Sequence, residues 1–312
     1  MGWPKYVSAA AISLLLCAGC AFARSETDTR AGFRSGGIDR EYLIHRPTAA
    51  PAGLRPAVLI FHGGGGTAAN MSRATTFDRL ADRDGFVAVY PEGYERSWND
   101  GRGADTKAGA AGIDDVAFVA ALIDRLVAGE HVDPARVYAT GLSNGAMFTE
   151  LLGCRLADRL AAIAPVSGPL PAADESACAP AHSLPVLEIH GTADPIVPYD
   201  GGTVRVTSGN LGGSGHSPVL SVPATQQLWR TKNACGPAVS TALPATTDDG
   251  TSVTVESADC ADGAKVQLYT VTGGGHSWPD GPQYLPRALV GPVTHQFDGA
   301  ELIWNFFRTV AR

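Results

Sequence analysis

The fold is decided by one stretch of the chain, Val137-Tyr138-Ala139-Thr140-Gly141-Leu142-Ser143-Asn144-Gly145-Ala146-Met147-Phe148. Its first four residues predict a buried strand, and the residues from Ala146 onward are typical of a helix. The turn between them has the spacing G-x-S-x-G, which exposes a serine at a strained strand-to-helix turn and keeps side chains out of the close approach around it. The stretch therefore predicts a parallel sheet with Ser143 at its carboxyl edge.

Strand-like and helix-like segments alternate on both sides of this stretch. Short apolar runs, which predict strands buried on both faces, occupy 57–61, 86–90, 136–140, 161–166, 185–189 and 265–271. Helical spacing occurs at 77–81, 116–126 and 224–231, and again from a predicted cap at Asp298 to Val310. The alternation predicts an α/β fold with a doubly wound, mostly parallel sheet, which begins with an edge strand at 40–45.

A serine hydroxyl needs a base, and in this fold the base follows the serine in the chain with a carboxylate between them. Of the eight histidines, His276 follows a predicted strand directly, whereas His216 and His295 are remote from any strand end. Asp194 occupies the same kind of position after 185–189, where it could orient the base. Glu188 is the competing acid, but its place inside the strand favours a structural role.

The run His62-Gly63-Gly64-Gly65-Gly66 follows the strand at 57–61. A glycine-rich loop there can offer backbone N–H groups to a developing oxyanion, and we predict Gly64, Gly65 and Asn144 as the donors. Neither a Lys-Ser/Thr pair nor a G-x-G-x-x-G spacing with a following acidic residue supports nucleotide binding by this loop. His62 is predicted to have a packing role.

Two tryptophans are candidate substrate contacts. Trp98 lies in a polar loop, and Trp278 lies beside His276, so either could support an acyl or aromatic group; packing is the alternative for each. Only 168–184 separates two predicted strands where a lid could be inserted, so we predict no lid domain and an open cleft that suits bulky or polymeric substrates.

Composition excludes several classes of protein. The chain has 312 residues, a formal charge of −7 and no run of Lys or Arg, so nucleic acid is not an expected partner. No cysteine or histidine spacing is typical of zinc, and no metal is expected.

The N-terminus has the pattern of a secretory leader. Uncharged apolar residues at 6–23 follow Lys5 and are too short for a membrane span, and Ala21-Phe22-Ala23 fits a signal peptidase site. We predict a signal peptide at 1–23, a flexible lead-in at 24–37, a catalytic domain at 38–312, and secretion to the periplasm or the medium. The alternative is a lipoprotein anchored at Cys20, whose preceding residues resemble a lipoprotein box.

Removal of this leader leaves an even number of cysteines, Cys154, Cys178, Cys235 and Cys260. An oxidising compartment favours two disulfides. Three connectivities are open, and we favour Cys154 with Cys178 and Cys235 with Cys260 because each closes a loop of modest length.

Taken with the motifs above, the chain resembles the secreted polyhydroxybutyrate depolymerase-like esterases, a family that includes feruloyl and acetylxylan esterases. The similar stretches are 40–47, 62–66, 98–99, 114–116, 141–146, 161–168, 190–195 and 273–279. The resemblance implies an α/β-hydrolase fold, no cofactor, and a catalytic triad on Ser143, Asp194 and His276. Many family members have cysteine where Gly64 stands, which would leave the backbone donor intact.

The expected activity is hydrolysis of carboxylic esters, either hydroxyalkanoate oligomers or hydroxycinnamate esters, through an acyl-enzyme. Acetylxylan esterase and serine peptidase of the same fold are the enzymatic alternatives. A ligand-binding lipoprotein without turnover is the non-enzymatic one.

Overall fold

The computed structural model describes residues 28–49, 53–205 and 217–312. The predicted signal peptide at 1–23 and the alternative anchor at Cys20 lie outside the described residues. None of the helices within these three ranges is long and apolar enough to cross a membrane.

Most of the strands form one central sheet, and helices cover it on both faces. The strands are β1 (Asp28–Ser35), β2 (Ile38–His45), β3 (Arg55–Phe61), β4 (Val87–Pro91), β5 (Val132–Leu142), β6 (Ala162–Val166), β7 (Val186–Gly191), β8 (Gly202–Thr203), β9 (Pro218–Val219), β10 (Val239–Ala242), β11 (Ser252–Asp259) and β12 (Lys265–Thr272). The helices are α1 (Ala68–Ala74), α2 (Phe77–Asp84), α3 (Lys107–Ala110), α4 (Asp115–Gly129), α5 (Asn144–Arg155), α6 (Val222–Lys232), α7 (Arg287–Val290) and α8 (Gly299–Phe307). Short 3-10 turns occur at Gly103–Asp105, Ala172–Asp174 and Ala261–Gly263.

The ten-stranded sheet has the order β1-β2-β4-β3-β5-β6-β7-β12-β11-β10. The strands from β4 to β12 in this order pair in parallel, and antiparallel strands extend the sheet at both edges. The prediction of a mostly parallel, doubly wound sheet is therefore confirmed.

Alternation along β3 shows why its apolar run is continuous. Ala57, Leu59 and Phe61 lie in a core cluster that also contains residues of α4, α5 and α6. Val58 and Ile60 lie in a second cluster, on the other face, with residues of α2 and α8. A strand that buries both faces needs apolar residues at every position.

The order of the central strands places a crevice beside β3 and β5. From β3 the chain moves to one side to form β4 and then crosses to the other side to form β5. Ligand sites of open α/β sheets lie at such a switch point, outside the carboxyl ends of the strands. The glycine run after β3 and Ser143 after β5 both lie at that end.

Two predictions about the N-terminal part of the domain are wrong. The segment at 24–37 is not wholly a flexible lead-in, because its residues Asp28–Ser35 form β1 and pair with all of β2. The strand at 40–45 is consequently not at the edge. Its alternating pattern reflects its position near the edge, where one face of the strand is exposed.

The two disulfides have the predicted pairing, Cys154 with Cys178 and Cys235 with Cys260. Cys154 is near the end of α5, and its bridge ties that helix to the connection between β6 and β7. The second bridge ties the segment after α6 to the end of β11.

Candidate active site

Ser143 occupies the strained turn that the sequence predicts between β5 and α5. Its φ is 59° and its ψ is −120°, and it caps α5 while its N–H donates to the carbonyl of Val166 at 3.0 Å. A Cβ at Gly141 would lie 2.6 Å from the carbonyl oxygen of Gly145, and one at Gly145 would lie 2.5 Å from that of Phe61. Both glycines are required because the backbones approach too closely for any side chain.

Asp194 and His276 form a direct, buried pair. Asp194 follows β7, His276 lies in the glycine-rich loop after β12, and these parallel neighbours bring the two loops together. His276 Nδ1 and Asp194 Oδ2 are 2.7 Å apart. The proton on Nδ1 is donated to the carboxylate, which leaves Nε2 as the acceptor on the imidazole.

The second oxygen of Asp194 fixes the carboxylate in its own loop. Oδ1 accepts from the N–H groups of Ile196 at 2.8 Å and Val197 at 2.9 Å. Burial alone would raise the pKa of Asp194, but His276 and the backbone N–H of Val197 outweigh it and hold that pKa below its usual value. The carboxylate is therefore ionised and can stabilise an imidazolium.

His190 is a neighbour of this pair that the sequence analysis missed. Its Nε2 is 3.6 Å from Asp194 Oδ2 and 3.0 Å from the carbonyl oxygen of Val197, to which it donates. Burial lowers the pKa of His190, so it is neutral there. Glu188, the competing acid, is fully buried inside β7 and accepts a hydrogen bond from Gln226 at 2.9 Å, as a structural residue would.

The structure brings Ser143 and His276 to one cavity wall, although no hydrogen bond joins their side chains in the described residues. Catalytic hydrogen bonds of a free enzyme are often long and tighten only with substrate. The shared wall and the buried Asp194 contact together bring a serine hydroxyl, an imidazole and a carboxylate to one end of the sheet.

Of the three predicted oxyanion donors, Gly65 is wrong. Its N–H donates to the carbonyl of Arg96 at 2.8 Å and is not free. Gly64 and Asn144 line the cavity with Ser143, and within the described chain their N–H groups have no backbone acceptor. Asn144 is the first residue of α5, where the helix itself offers its N–H no partner.

The prediction of Trp98 as a substrate contact is also wrong. The side chain is fully buried, stacks on Phe148 with ring centroids 5.2 Å apart, and donates from Nε1 to the carbonyl of His62 at 2.9 Å. Its backbone N–H donates to Asn144 Oδ1 at 2.9 Å. Trp98 therefore supports the residues around Ser143 from within the core.

His62 has the packing role that we predicted. Nδ1 is 2.8 Å from the carbonyl of Gly63, and Nε2 accepts from the N–H of Gly93 at 3.0 Å. Burial lowers the pKa of His62 to about 4, so the ring is neutral at neutral pH, and the lone pair of Nε2 is already occupied by the N–H of Gly93.

Trp278, the other candidate contact, does line a cavity of about 450 Å³ together with Ser143 and His276. A second cavity, of about 560 Å³, meets the first at the same two residues. Tyr284 lines both, and its hydroxyl donates to the carbonyl of His276 at 3.1 Å. No sequence signal indicates Tyr284, because this residue lies in an irregular loop with no motif.

One group of side chains in the described ranges has the composition of a metal site. Asp28, His45 and Asp78 each offer a ligand atom within 4.8 Å of the others. His45 Nδ1 is 2.5 Å from Asp28 Oδ1, and Asp78 accepts from the hydroxyl of Tyr90 at 2.7 Å. Each of the three groups has a hydrogen-bond partner, and none of them lines the cavities beside Ser143.

The fold and the site together define a hydrolase of the α/β-hydrolase class. The chain belongs to the esterase PHB depolymerase family, whose model matches residues 40–222. It is a carboxylic ester hydrolase, so the alternative of a ligand-binding protein without turnover is set aside.

Individual relatives agree with this assignment. NocK of Nocardia uniformis subsp. tsuyamanensis, a protein named as an esterase, is 34% identical over 275 residues, which is 86% of this chain and 79% of that protein. Feruloyl esterase B of Piromyces equi is 30% identical over 72% of this chain but only 40% of its own length. The acetyl xylan esterase structure from Aspergillus awamori covers 90% of this chain and 99% of its own, with a TM-score of 0.59 and 15% identity, and so shows the fold alone.

Proposed function

We propose that this esterase works through an acyl-enzyme on Ser143, with His276 as the base and Asp194 as its orienting acid. The observation that carries the proposal is the contact of 2.7 Å between His276 Nδ1 and Asp194 Oδ2, beside the strained serine turn. His276 removes the hydroxyl proton as Ser143 attacks the ester carbonyl. The same imidazole then donates that proton to the leaving alcohol, and later activates the water that releases the acid.

The oxyanion of each tetrahedral intermediate is held by the N–H groups of Gly64 and Asn144. Both lie on the cavity wall beside Ser143, one from the loop after β3 and one from the first turn of α5. Such donors act on charge that develops only in the transition state, so they accelerate the reaction.

The substrates that we propose are short hydroxyalkanoate oligomers or hydroxycinnamate esters. The cavity lined by Trp278 also contains Met71, Leu142 and Pro282, which suit an apolar or aromatic group. The similarity to a protein named feruloyl esterase supports the second class. The alternative of acetylated xylan belongs in the same substrate panel.

We also propose that the protein acts outside the cytoplasm. Two disulfides and the apolar leader at 6–23 support this location, because disulfides persist in oxidising compartments. Mass determination of the mature N-terminus would show whether the chain begins at Arg24 or carries a lipid on Cys20.

A substrate panel tests the proposed chemistry. Wild type and Ser143→Ala are compared on p-nitrophenyl butyrate, hydroxybutyrate oligomers, methyl ferulate and acetylated xylan, and both are exposed to a fluorophosphonate. We expect Ser143→Ala to lose about 10⁴-fold or more in kcat and to resist labelling. Undiminished turnover by a correctly folded Ser143→Ala would contradict the assignment of the nucleophile.

A further inference from the structure

The two cavities beside Ser143 differ sharply in the chemistry of their walls. We call the cavity of about 450 Å³ the apolar lobe and the cavity of about 560 Å³ the cationic lobe. Ser143, His276 and Tyr284 line both. An ester whose carbonyl lies at Ser143 would therefore extend its two halves into different lobes.

The cationic lobe is lined by four cationic side chains and two carboxylates. They are Arg96, Arg102, Lys107 and Arg205, and Glu95 and Asp105. The apolar lobe contains one cation, Arg73, among mostly apolar residues. Because the whole chain has a formal charge of −7, this concentration of positive charge beside the serine is not the general character of the surface.

Two of the four cations are paired with carboxylates of the protein. Arg102 donates from Nε and Nη2 to Asp100 Oδ2, at 3.0 and 2.7 Å, in a pair that is almost fully buried. Lys107 Nζ lies 3.7 Å from a carboxylate oxygen of Glu95. Their charges are therefore partly cancelled.

The other two cations keep their guanidinium groups available. Arg96 donates from Nε to the carbonyl of Gly66 at 3.2 Å. Within the described ranges, Arg205 makes no side-chain hydrogen bond and neither arginine forms an ion pair. The carboxylate of Asp105 accepts a hydrogen bond from the N–H of Ser217. Two exposed forks of N–H donors thus face a cavity that also holds the nucleophile.

A guanidinium fork matches the geometry of a carboxylate, and a cleft with one predominant sign of charge concentrates ligands of the opposite sign. We propose that the cationic lobe is a subsite for a carboxylate, so that the substrates of this enzyme are esters that also carry a free carboxylate, such as the acid end of a hydroxyacid oligomer. The proposal rests on Ser143 being the nucleophile. Arg96 and Arg205 are its specificity-determining residues.

Matched substrate pairs test the subsite. The first pair is a hydroxybutyrate dimer with a free acid and the same dimer with a carboxamide, which places the charge in the alcohol half. The second pair is the monomethyl ester of adipic acid and its carboxamide, which places the charge in the acyl half. Turnover of the neutral p-nitrophenyl butyrate reports separately on the proposed function.

In at least one pair, we expect the free acid to have a KM about tenfold lower than the carboxamide, with a similar kcat. The pair that shows the difference identifies the half of the ester that enters the cationic lobe. Raising the ionic strength from about 0.02 M to about 0.5 M should reduce the preference. Arg96→Gln and Arg205→Gln should each reduce the acid-to-amide ratio, and the double variant should bring it close to one.

The matched control is Arg230→Gln, which removes the same charge from α6, where Arg230 pairs with Glu256. It should keep the wild-type ratio. A ratio near one in both pairs for wild type, with p-nitrophenyl butyrate hydrolysed, would overturn the subsite alone, as would a preference that survives in the double arginine variant. No turnover of any ester would overturn the proposed function and the subsite together.

Discussion

At the scale of single residues, the candidate site combines a serine at a strained turn with a buried hydrogen-bonded pair, His276 and Asp194. The positive φ of Ser143 persists because the backbones around Gly141 and Gly145 leave no other path from β5 to α5. The two oxygens of Asp194 have different partners. Oδ1 accepts from backbone N–H groups of its own loop, and Oδ2 accepts from His276. This division makes a clean test of the carboxylate possible.

Asp194→Asn should lose activity without losing the fold. The amide oxygen of Asn can still accept from the N–H groups of Ile196 and Val197. The amide NH₂ would then face Nδ1 of His276, where it cannot accept the Nδ1 proton and carries no negative charge to stabilise an imidazolium. We expect kcat on p-nitrophenyl butyrate to fall by about 10⁴-fold, with a urea midpoint close to that of wild type. A loss smaller than about tenfold would mean that another acid orients His276.

At the residue scale, the sequence predicted which side chains the fold would bring together where each of them directly follows a strand. Ser143, Asp194 and His276 each follow a buried strand, and that position is readable from apolar runs. Gly65 was misassigned because its N–H is taken by the carbonyl of Arg96, which no spacing reveals. Trp98 was misassigned because exposure depends on which side of the loop faces the core.

At the scale of elements, β5 and α5 were predictable because the strand, the turn and the helix are continuous in sequence. β1 was not, because seven of its eight residues are polar, small or charged and its exposure is high. It is a strand only because β2 offers it a complete antiparallel partner. Propensity within a segment cannot report on such a partner.

Glu150 of α5 and Glu188 of β7 are two buried acidic side chains, from different elements, that interact electrostatically. Both are fully buried, and Oε1 of each has no hydrogen-bond partner within the described chain. Burial raises the pKa of Glu188 to about 8, and burial together with the neighbouring Glu188 raises the pKa of Glu150. Both carboxyls are therefore protonated in the folded protein at neutral pH.

Because the folded pKa of Glu188 lies above its unfolded value, the folded state binds more protons and stability falls as pH rises from about 4.5 to about 8. Glu188→Gln removes this titrating carboxyl group. As pH rises through this window, the free energy of unfolding of the variant should therefore fall less steeply than that of wild type, and the two slopes should differ by up to about 1.4 kcal/mol per pH unit. Urea denaturation at several pH values within this window measures the two slopes. Glu175→Gln, at an exposed position, is the control, and equal slopes for wild type and Glu188→Gln would contradict the shift.

At the scale of the whole molecule, the sheet brings together groups that are far apart in the chain. Asp194 and His276 are separated by 82 residues and meet only because β7 and β12 are parallel neighbours. The sequence predicted the parallel sheet, and the rule that its carboxyl edge holds the site supplied the meeting point. The sequence could not predict the strand order. Nor could it predict the two lobes, which depend on how loops from different strands pack against each other.

The two disulfides should stabilise the molecule to different degrees, although each joins cysteines of nearly equal separation, 24 and 25 residues. Loop closure alone gives each about 3 kcal/mol. Cys154 and Cys178 lie buried in the core, whereas Cys235 and Cys260 are only partly buried, so serines at the first pair would also bury two hydroxyls. Cys154→Ser/Cys178→Ser should therefore lower the free energy of unfolding by about 1–3 kcal/mol more than Cys235→Ser/Cys260→Ser, measured by urea denaturation. Equal losses of stability in the two variants would show that core burial of the first bridge contributes nothing. Activity per folded molecule, titrated with a fluorophosphonate, should be unchanged in the second variant, because its bridge lies outside both lobes.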